Sequence, residues 1–248
     1  MLDKVGPLKT QGWNQGIYSQ SATQKENLNA IRYLDDGRCF AYARAGAVAL
    51  GAGKLTQNSI VDTNARTQTL SATQSAAIGD MSVVVTFGGA VTADFYKDGW
   101  FHISDGTGVG HVYRIRTHAA GTASVTLYLY DPIRVALVAS TSVWVCTANI
   151  QNLVLVMPTT ETGVPTGVPL IPVTINYYFW NQVKGPAPVL VHGTVVIGNI
   201  VGPSSQSTPV AGAVEALASA DIIGGCGVVL QVLADTKYAL INLAIPGY

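Results

Sequence analysis

Charge is scarce in this chain: 14 Lys and Arg stand against 14 Asp and Glu, so that 11 % of the 248 residues are charged and the net charge is zero. Ordinary soluble domains carry about 25 %. With no cationic excess to cluster, nucleic acid is excluded as the main partner, because phosphate binding needs a basic stripe. Cysteine is sparse as well. Cys39, Cys146 and Cys226 are far apart and form no Cys-x-x-Cys pair, which argues against a zinc or disulfide framework and for buried thiols in a reducing compartment. Long hydrophobic runs are also missing. The apolar stretch 222–234, IIGGCGVVLQVLA, is too short and too glycine-rich to span a bilayer, so no membrane partner is expected. Residues 1–20 lack the basic start and apolar middle of a secretion signal, so the chain reads as soluble and unprocessed.

What is present is apolar: 48 % of the residues are hydrophobic. A surface this poor in charge must hide part of itself against copies or another chain, so an obligate assembly component is expected. The length suffices for two β units that each bury a core.

The opening residues, 1–38, mix Gly, Pro and Gln with isolated aromatics and show no regular period, which predicts an extended N-terminal arm. Residues 22–34 within it have the length of a short helix. From residue 39 the pattern turns to strands. CFAYAR shows alternation, and MSVVVTF (81–87), WFHIS (100–104), HVYRIRTH (111–118), SVTLYLY (124–130), SVWVC (142–146) and NLVLVM (152–157) are β-branched or aromatic runs separated by Gly and Asp turns. Residues 56–76 are polar and read as a loop or link. Residues 158–172 hold four prolines in fifteen positions, which predicts a stiff connector between a β domain over 39–157 and a second over 173–248. The second would use 173–183, 188–191, 194–198, 226–234 and 237–245 as strands, with 201–217 as an exposed loop. The predicted class is therefore mainly β, with two antiparallel sandwich or barrel units behind an extended arm.

No pattern nominates catalytic chemistry. DGTGVG (105–110) is followed by a strand, not the helix that a phosphate-cradling loop requires, so it reads as a hairpin turn. His102, His111 and His118 cluster in sequence, but His111 and His118 are seven positions apart on one strand and point to opposite faces. No metal is expected. Ser204 and Ser205 have no identifiable base and no Gly-x-Ser-x-Gly surrounds them. The acids Asp80, Asp94, Asp98, Asp105, Asp131, Asp221 and Asp235 fall at turns, where a short carboxylate bonds its own backbone. Trp100, Phe101, Tyr113, Tyr128, Tyr130 and Trp144 could form a saccharide or peptide platform, although alternating strand aromatics more commonly serve the core. No catalytic residue and no cofactor is assigned.

One stretch stands out, YYFWNQVKGPAPVLVHGTVVIGN (177–199). Alternation sets Tyr178, Trp180, Gln182 and Lys184 on one face and Tyr177, Phe179 and Val183 on the other, and Gly185, Pro186 and Pro188 then predict a corner. This tract, together with VAGAVEAL, GGCGVVLQVLADTKYALINLAIP, FAYARAGAVALGAGKL, DGTGVGHVYRIRTH and LYLYDP, resembles the capsid decoration, or cement, proteins of tailed bacteriophages. The resemblance implies a non-enzymatic, β-rich virion subunit, made in the bacterial cytoplasm and seated on the outer surface of the head. It would commonly be a homotrimer and tie major capsid protein subunits together against internal DNA pressure. Trp13, Ile17 and Tyr18 are then the expected arm anchors, with Trp180 and Lys184 as further partner contacts. A tail-tube, head-fibre or host-contact protein is the alternative, and a phage glycan hydrolase a more distant one.

Overall fold

The computed structural model describes residues 13–59, 63–206, 208–217 and 225–248. In chain order come β1 (Ile31–Tyr33), β2 (Cys39–Arg44) and β3 (Thr56–Gln57), and then a 3-10 turn, Thr63–Ala65. There follow β4 (Gln68–Thr69), β5 (Ser82–Val85), β6 (Trp100–Asp105), β7 (Val112–His118), β8 (Val125–Leu129) and β9 (Val143–Thr147). The chain continues with β10 (Leu155–Val156), β11 (Pro165–Pro169), β12 (Tyr178–Leu190), β13 (Ile200–Pro203), β14 (Val214–Ala216), β15 (Gly227–Gln231) and β16 (Tyr238–Ala244). No α-helix occurs among the described residues. The chain is almost all β, in two curled antiparallel sheets that form half-barrels.

The partition between the sheets differs from the expected division. A six-stranded sheet, in the order β4-β9-β6-β7-β8-β5, is built wholly from the middle of the chain. The ten-stranded sheet runs β10-β3-β11-β12-β16-β15-β13-β14, with β2 also on β12 and β1 on β2. Its strands come from both ends of the sequence, so the smaller unit is an insertion. Residues 39–57, expected in the first unit, pair with the second instead. The proline-rich segment 158–172 is not a free connector either. Its Pro165–Pro169 is β11, held between β3 and β12 with a register shift at Pro165/Gly167. Gly167 allows this close passage, since a Cβ there would lie 2.7 Å from the Asn181 side chain and from the Gln182 carbonyl oxygen.

Each unit has its own core. The smaller one is aromatic, with Phe87, Tyr96, Phe101, Tyr113 and Trp144 all buried. Phe87 stacks on Tyr96 at 5.6 Å and meets Trp144 edge-on at 5.4 Å. The larger core is aliphatic, with Val183, Val189, Val201, Val229, Ile241 and Leu243 among its members. Alternation in β6, β7 and β8 sends every second residue inward, which splits the sequence's aromatic set. Phe101, Tyr113 and Trp144 go to the core, whereas Trp100, Tyr128 and Tyr130 face outward at 47, 44 and 38 % exposure.

β12 is the spine of the molecule. The expected corner at Gly185 is absent, and thirteen residues run on as one strand. Its first half pairs with β2 and its second with β16, with a shift on the β2 side between Gln182 and Lys184. Ladder bonds to the β16 side use odd-numbered residues, with Ile245 N donating to Val183 O and Val191 N to Lys237 O. Pro186 and Pro188 therefore turn their donorless nitrogens to the opposite edge, where β2 has already ended. Two further expectations change. Residues 22–34 form no helix but lead into β1, and 194–198 is a turn-rich segment instead of a strand.

Candidate functional site

The five residues expected to contact partners fall in different surroundings. Trp180 is 1 % exposed and unavailable to any partner. Its indole is covered by the chain's own N-terminal segment. Trp13 meets it edge-on at 5.0 Å, the Arg32 guanidinium lies 5.9 Å from both rings, and Trp180 Nε1 donates to Gln15 O at 2.9 Å. Ile17 packs against the same cluster with Phe40 and Tyr42. From Trp13 onward the arm therefore folds back on its own sheet, because burying two indoles and an isoleucine against an aromatic face outweighs leaving them in water. Residues 1–12 lie outside the described part. Tyr18 remains open at 64 % exposure, its hydroxyl accepting from Arg38 at 3.4 Å. Lys184 is exposed, at the register shift.

A more organised site stands on the outer face of the smaller sheet. Trp100 on β6 is opposite Arg114 on β7, and Tyr130 N donates to Arg114 O at 3.0 Å, so Trp100, Arg114 and Tyr130 form one row across three strands. The Arg114 guanidinium lies 4.9 Å from the Tyr130 ring centre, and Arg116 lies 6.0 Å from that of Tyr128. Beneath the row sits Asp98, with its side chain fully buried. Asp98 Oδ1 accepts from Arg114 at 3.1 Å and from the Tyr130 hydroxyl at 3.0 Å, and Oδ2 accepts from Gln24 at 3.3 Å. A buried carboxylate needs such donors to offset its lost hydration. Burial, and next the Asp98 charge, raise the Tyr130 phenol above its ordinary pKa, which keeps it a proton donor to the carboxylate.

Two clefts flank this group. One, of about 560 Å³, is lined by Lys25, Lys97, Arg116, Thr117 and Tyr130 together with the single carboxylate Glu26. Glu26 Oε1 already accepts from the Asn14 backbone and side-chain amides at 2.8 and 3.2 Å. The other, of about 310 Å³, lies between Trp100, Arg114, Asp98 and Asn149. Both fall in the range of about 300–1,000 Å³ typical of small-molecule sites. Comparison with known protein families, curated proteins and solved structures finds no match.

A second surface is apolar. Ile200 on β13 is opposite Val228 on β15, and Leu230, Val232, Leu233 and Tyr238 extend the same end of the larger sheet, each 37 to 45 % exposed. Val196 and Ile197 project beside it at 57 and 67 %, and neither 195–200 nor 227–234 contains a charged residue.

The remaining polar groups hold the backbone. His118 is buried, its Nε2 accepting from Tyr96 N at 3.0 Å and its Nδ1 donating to Ala119 O at 2.9 Å, while His111 bonds Gly108 O at the surface. No group of three or more His, Cys, Asp or Glu that could hold a metal ion occurs among the described residues. Ser204 and Glu215 are both buried, with Ser204 Oγ donating to Glu215 Oε2 at 3.2 Å. Ser205 N and Gln206 N each donate to Glu215 Oε1 at 2.8 Å. The expected exposed loop 201–217 is thus largely a β13–β14 hairpin pinned from within. Of the turn acids, Asp80, Asp94, Asp105 and Asp235 accept from nearby or facing backbone amides. Asp221 lies outside the described residues. Asp98 also sits at a turn, at φ 60°, but the sequence contained no sign that its carboxylate would be buried. Only the Lys-Asp-Gly turn before Trp100 and the alternating Arg and Tyr of β7 and β8 pointed to that side of the sheet.

Proposed function

We propose that this protein is a structural subunit of a tailed-phage virion, a decoration protein on the outer surface of the head that holds neighbouring major capsid subunits together. The observation that carries the reading is the apolar strip of Ile200, Val228, Leu230, Val232 and Leu233, with no charged residue in 195–200 or 227–234, on a chain with so few charges to keep it dispersed. The sequence phrases that resemble cement proteins point the same way. The mechanism is multivalent: self-association, with a trimer as the expected state, presents several copies of one modest contact, and these must break together. Trp13 and Ile17 of the arm make no part of this contact, since they pack internally, whereas Tyr18 is exposed and open to it.

Mixing purified protein with expanded, undecorated heads tests the proposal. Regular added density on the capsid surface and a higher temperature of DNA release are the expected results, both lost in Leu230→Lys. Heads that bind nothing and gain no stability would overturn it. The outward row of Trp100, Arg114 and Tyr130 favours a second reading, a host-contact element of the virion.

A further inference from the structure

The cleft beside Tyr130 has a composition unlike the rest of this surface. The whole chain balances 14 cations with 14 anions, yet among the described lining residues Lys25, Lys97 and Arg116 stand with one acid, Glu26. Glu26 is held by Asn14, and Asp98, just beneath, is matched by Arg114. Asp94 adjoins the lining, accepting from the Thr117 hydroxyl at 2.6 Å, so three cations face two acids and a local cationic excess remains among the described residues. Its polar lining also includes Gln24, Asn27 and Thr117; the Gln24 amide donates to Glu26 O and Asp98 Oδ2 and the Thr117 hydroxyl to Asp94, so these two offer acceptor oxygens to ligand hydroxyls. Tyr130 supplies an aromatic wall whose orientation is fixed by the bond of its hydroxyl to Asp98. Trp100 supplies another, in the adjoining cleft beyond Arg114.

Cations spaced around hydroxyl-binding groups, next to fixed aromatic rings, match a chain of sugars bearing carboxylates. We propose that this face of the smaller sheet binds an acidic oligosaccharide of the uronic-acid type. Lys25, Lys97 and Arg116 pair with its carboxylates, Gln24, Asn27 and Thr117 meet its hydroxyls, and Tyr130 and Trp100 receive the apolar faces of successive rings. A nucleic acid fits less well. Three cations in a concave site make no stripe along a phosphate backbone. The site is separate from the apolar strip and needs neither a head nor a second copy, so this inference does not rest on the virion assignment.

Isothermal titration of the full chain with hexagalacturonic acid, maltohexaose and a short polyphosphate tests it. Hexagalacturonic acid is expected to bind, with maltohexaose, which lacks charge, and polyphosphate, which lacks hydroxyls and ring faces, each at least 10-fold weaker. Lys97→Ala and Arg116→Ala should each weaken hexagalacturonate binding about 10-fold, with the near-ultraviolet circular dichroism of the fold unchanged. Trp100→Ala should weaken it by a smaller factor. Absence of binding at millimolar hexagalacturonic acid, equal affinity for polyphosphate, or affinity unaffected by both cation substitutions would each overturn the proposal.

Discussion

At the residue scale, the aromatic side chains decide what the protein can offer to others. Trp180 has the appearance of a contact residue in sequence, at the end of the aromatic run 177–180 and on the same predicted face as Lys184, but it is an internal anchor. Trp180→Ala is expected to cost about 3–5 kcal/mol in urea unfolding, as for other buried large aromatics. Trp13→Ala should cost less, because that ring is only half-buried. The three cysteines are all buried. Burial raises each thiol, Cys226 to about 12 and Cys146 well above its ordinary value. A thiol-reactive dye at about pH 8 should therefore label none of them in the native protein and all three after unfolding. Rapid labelling of Cys39 would show that its cover opens. The odd number and wide spacing of the cysteines already implied buried thiols, whereas nothing in sequence revealed that the surface over Trp180 comes from Trp13.

At the element scale, periodicity was readable wherever a strand has one covered face and one open face. MSVVVTF, WFHIS, HVYRIRTH, SVTLYLY and SVWVC became β5 to β9 within a residue or two of their limits, because alternation there records the difference between core and water. It failed in β12. Phe179, Trp180, Asn181, Gln182 and Val183 are all buried, with the arm over one face and a hydrophobic core against the other, so the two faces no longer differ in polarity. Gly185 and two prolines looked like a corner for the same reason, since the missing ladder on one edge cannot be seen from composition. Gly185 has φ +86°, and a Cβ there would lie 3.0 Å from both Arg38 Cα and the Gly37 carbonyl oxygen. Gly185→Ala should lower stability by more than about 1 kcal/mol, combining backbone strain and crowding. Gly79→Ala, with φ +96° but open space around it, should cost less, and thermal melts of the pair separate the two contributions.

At the scale of the whole molecule, a few polar groups bind the inserted unit to the rest. Asp98 joins the smaller sheet to the arm through Gln24 and the Leu28 amide, and Asn149 donates to both Asp98 O and Leu28 O. Asn tolerates the left-handed backbone found at this position, so Asp98→Asn keeps the turn while removing the charge and replacing one of two acceptor oxygens with a donor amide. It should destabilise by about 1–3 kcal/mol and loosen hydrogen-exchange protection in residues 24–28, because Arg114 loses its buried partner. The arm is also secured by Tyr42, whose hydroxyl donates to Gln15 and accepts from Lys25 N. Burial pushes this phenol up to about 12, from about 10 in an unfolded chain. A raised value means that its stabilising contribution is complete below about pH 10 and is lost as pH climbs towards about 12. Urea midpoints should follow that course, and Tyr42→Phe should show a flatter decline over the same window.

The sequence by itself determined the β class, the presence of two units, most strand positions in the inserted one, and the burial of the thiols. These follow from local alternation, turn residues and composition, which act over a few positions along the chain. Only the tertiary structure decided which strands share a sheet, where the arm lies and which aromatics remain outside. Pairing β2 with β12, or Trp13 with Trp180, closes loops of well over a hundred residues. The free energy of that closure depends on how complementary faces meet in space, and no short window of sequence contains both faces.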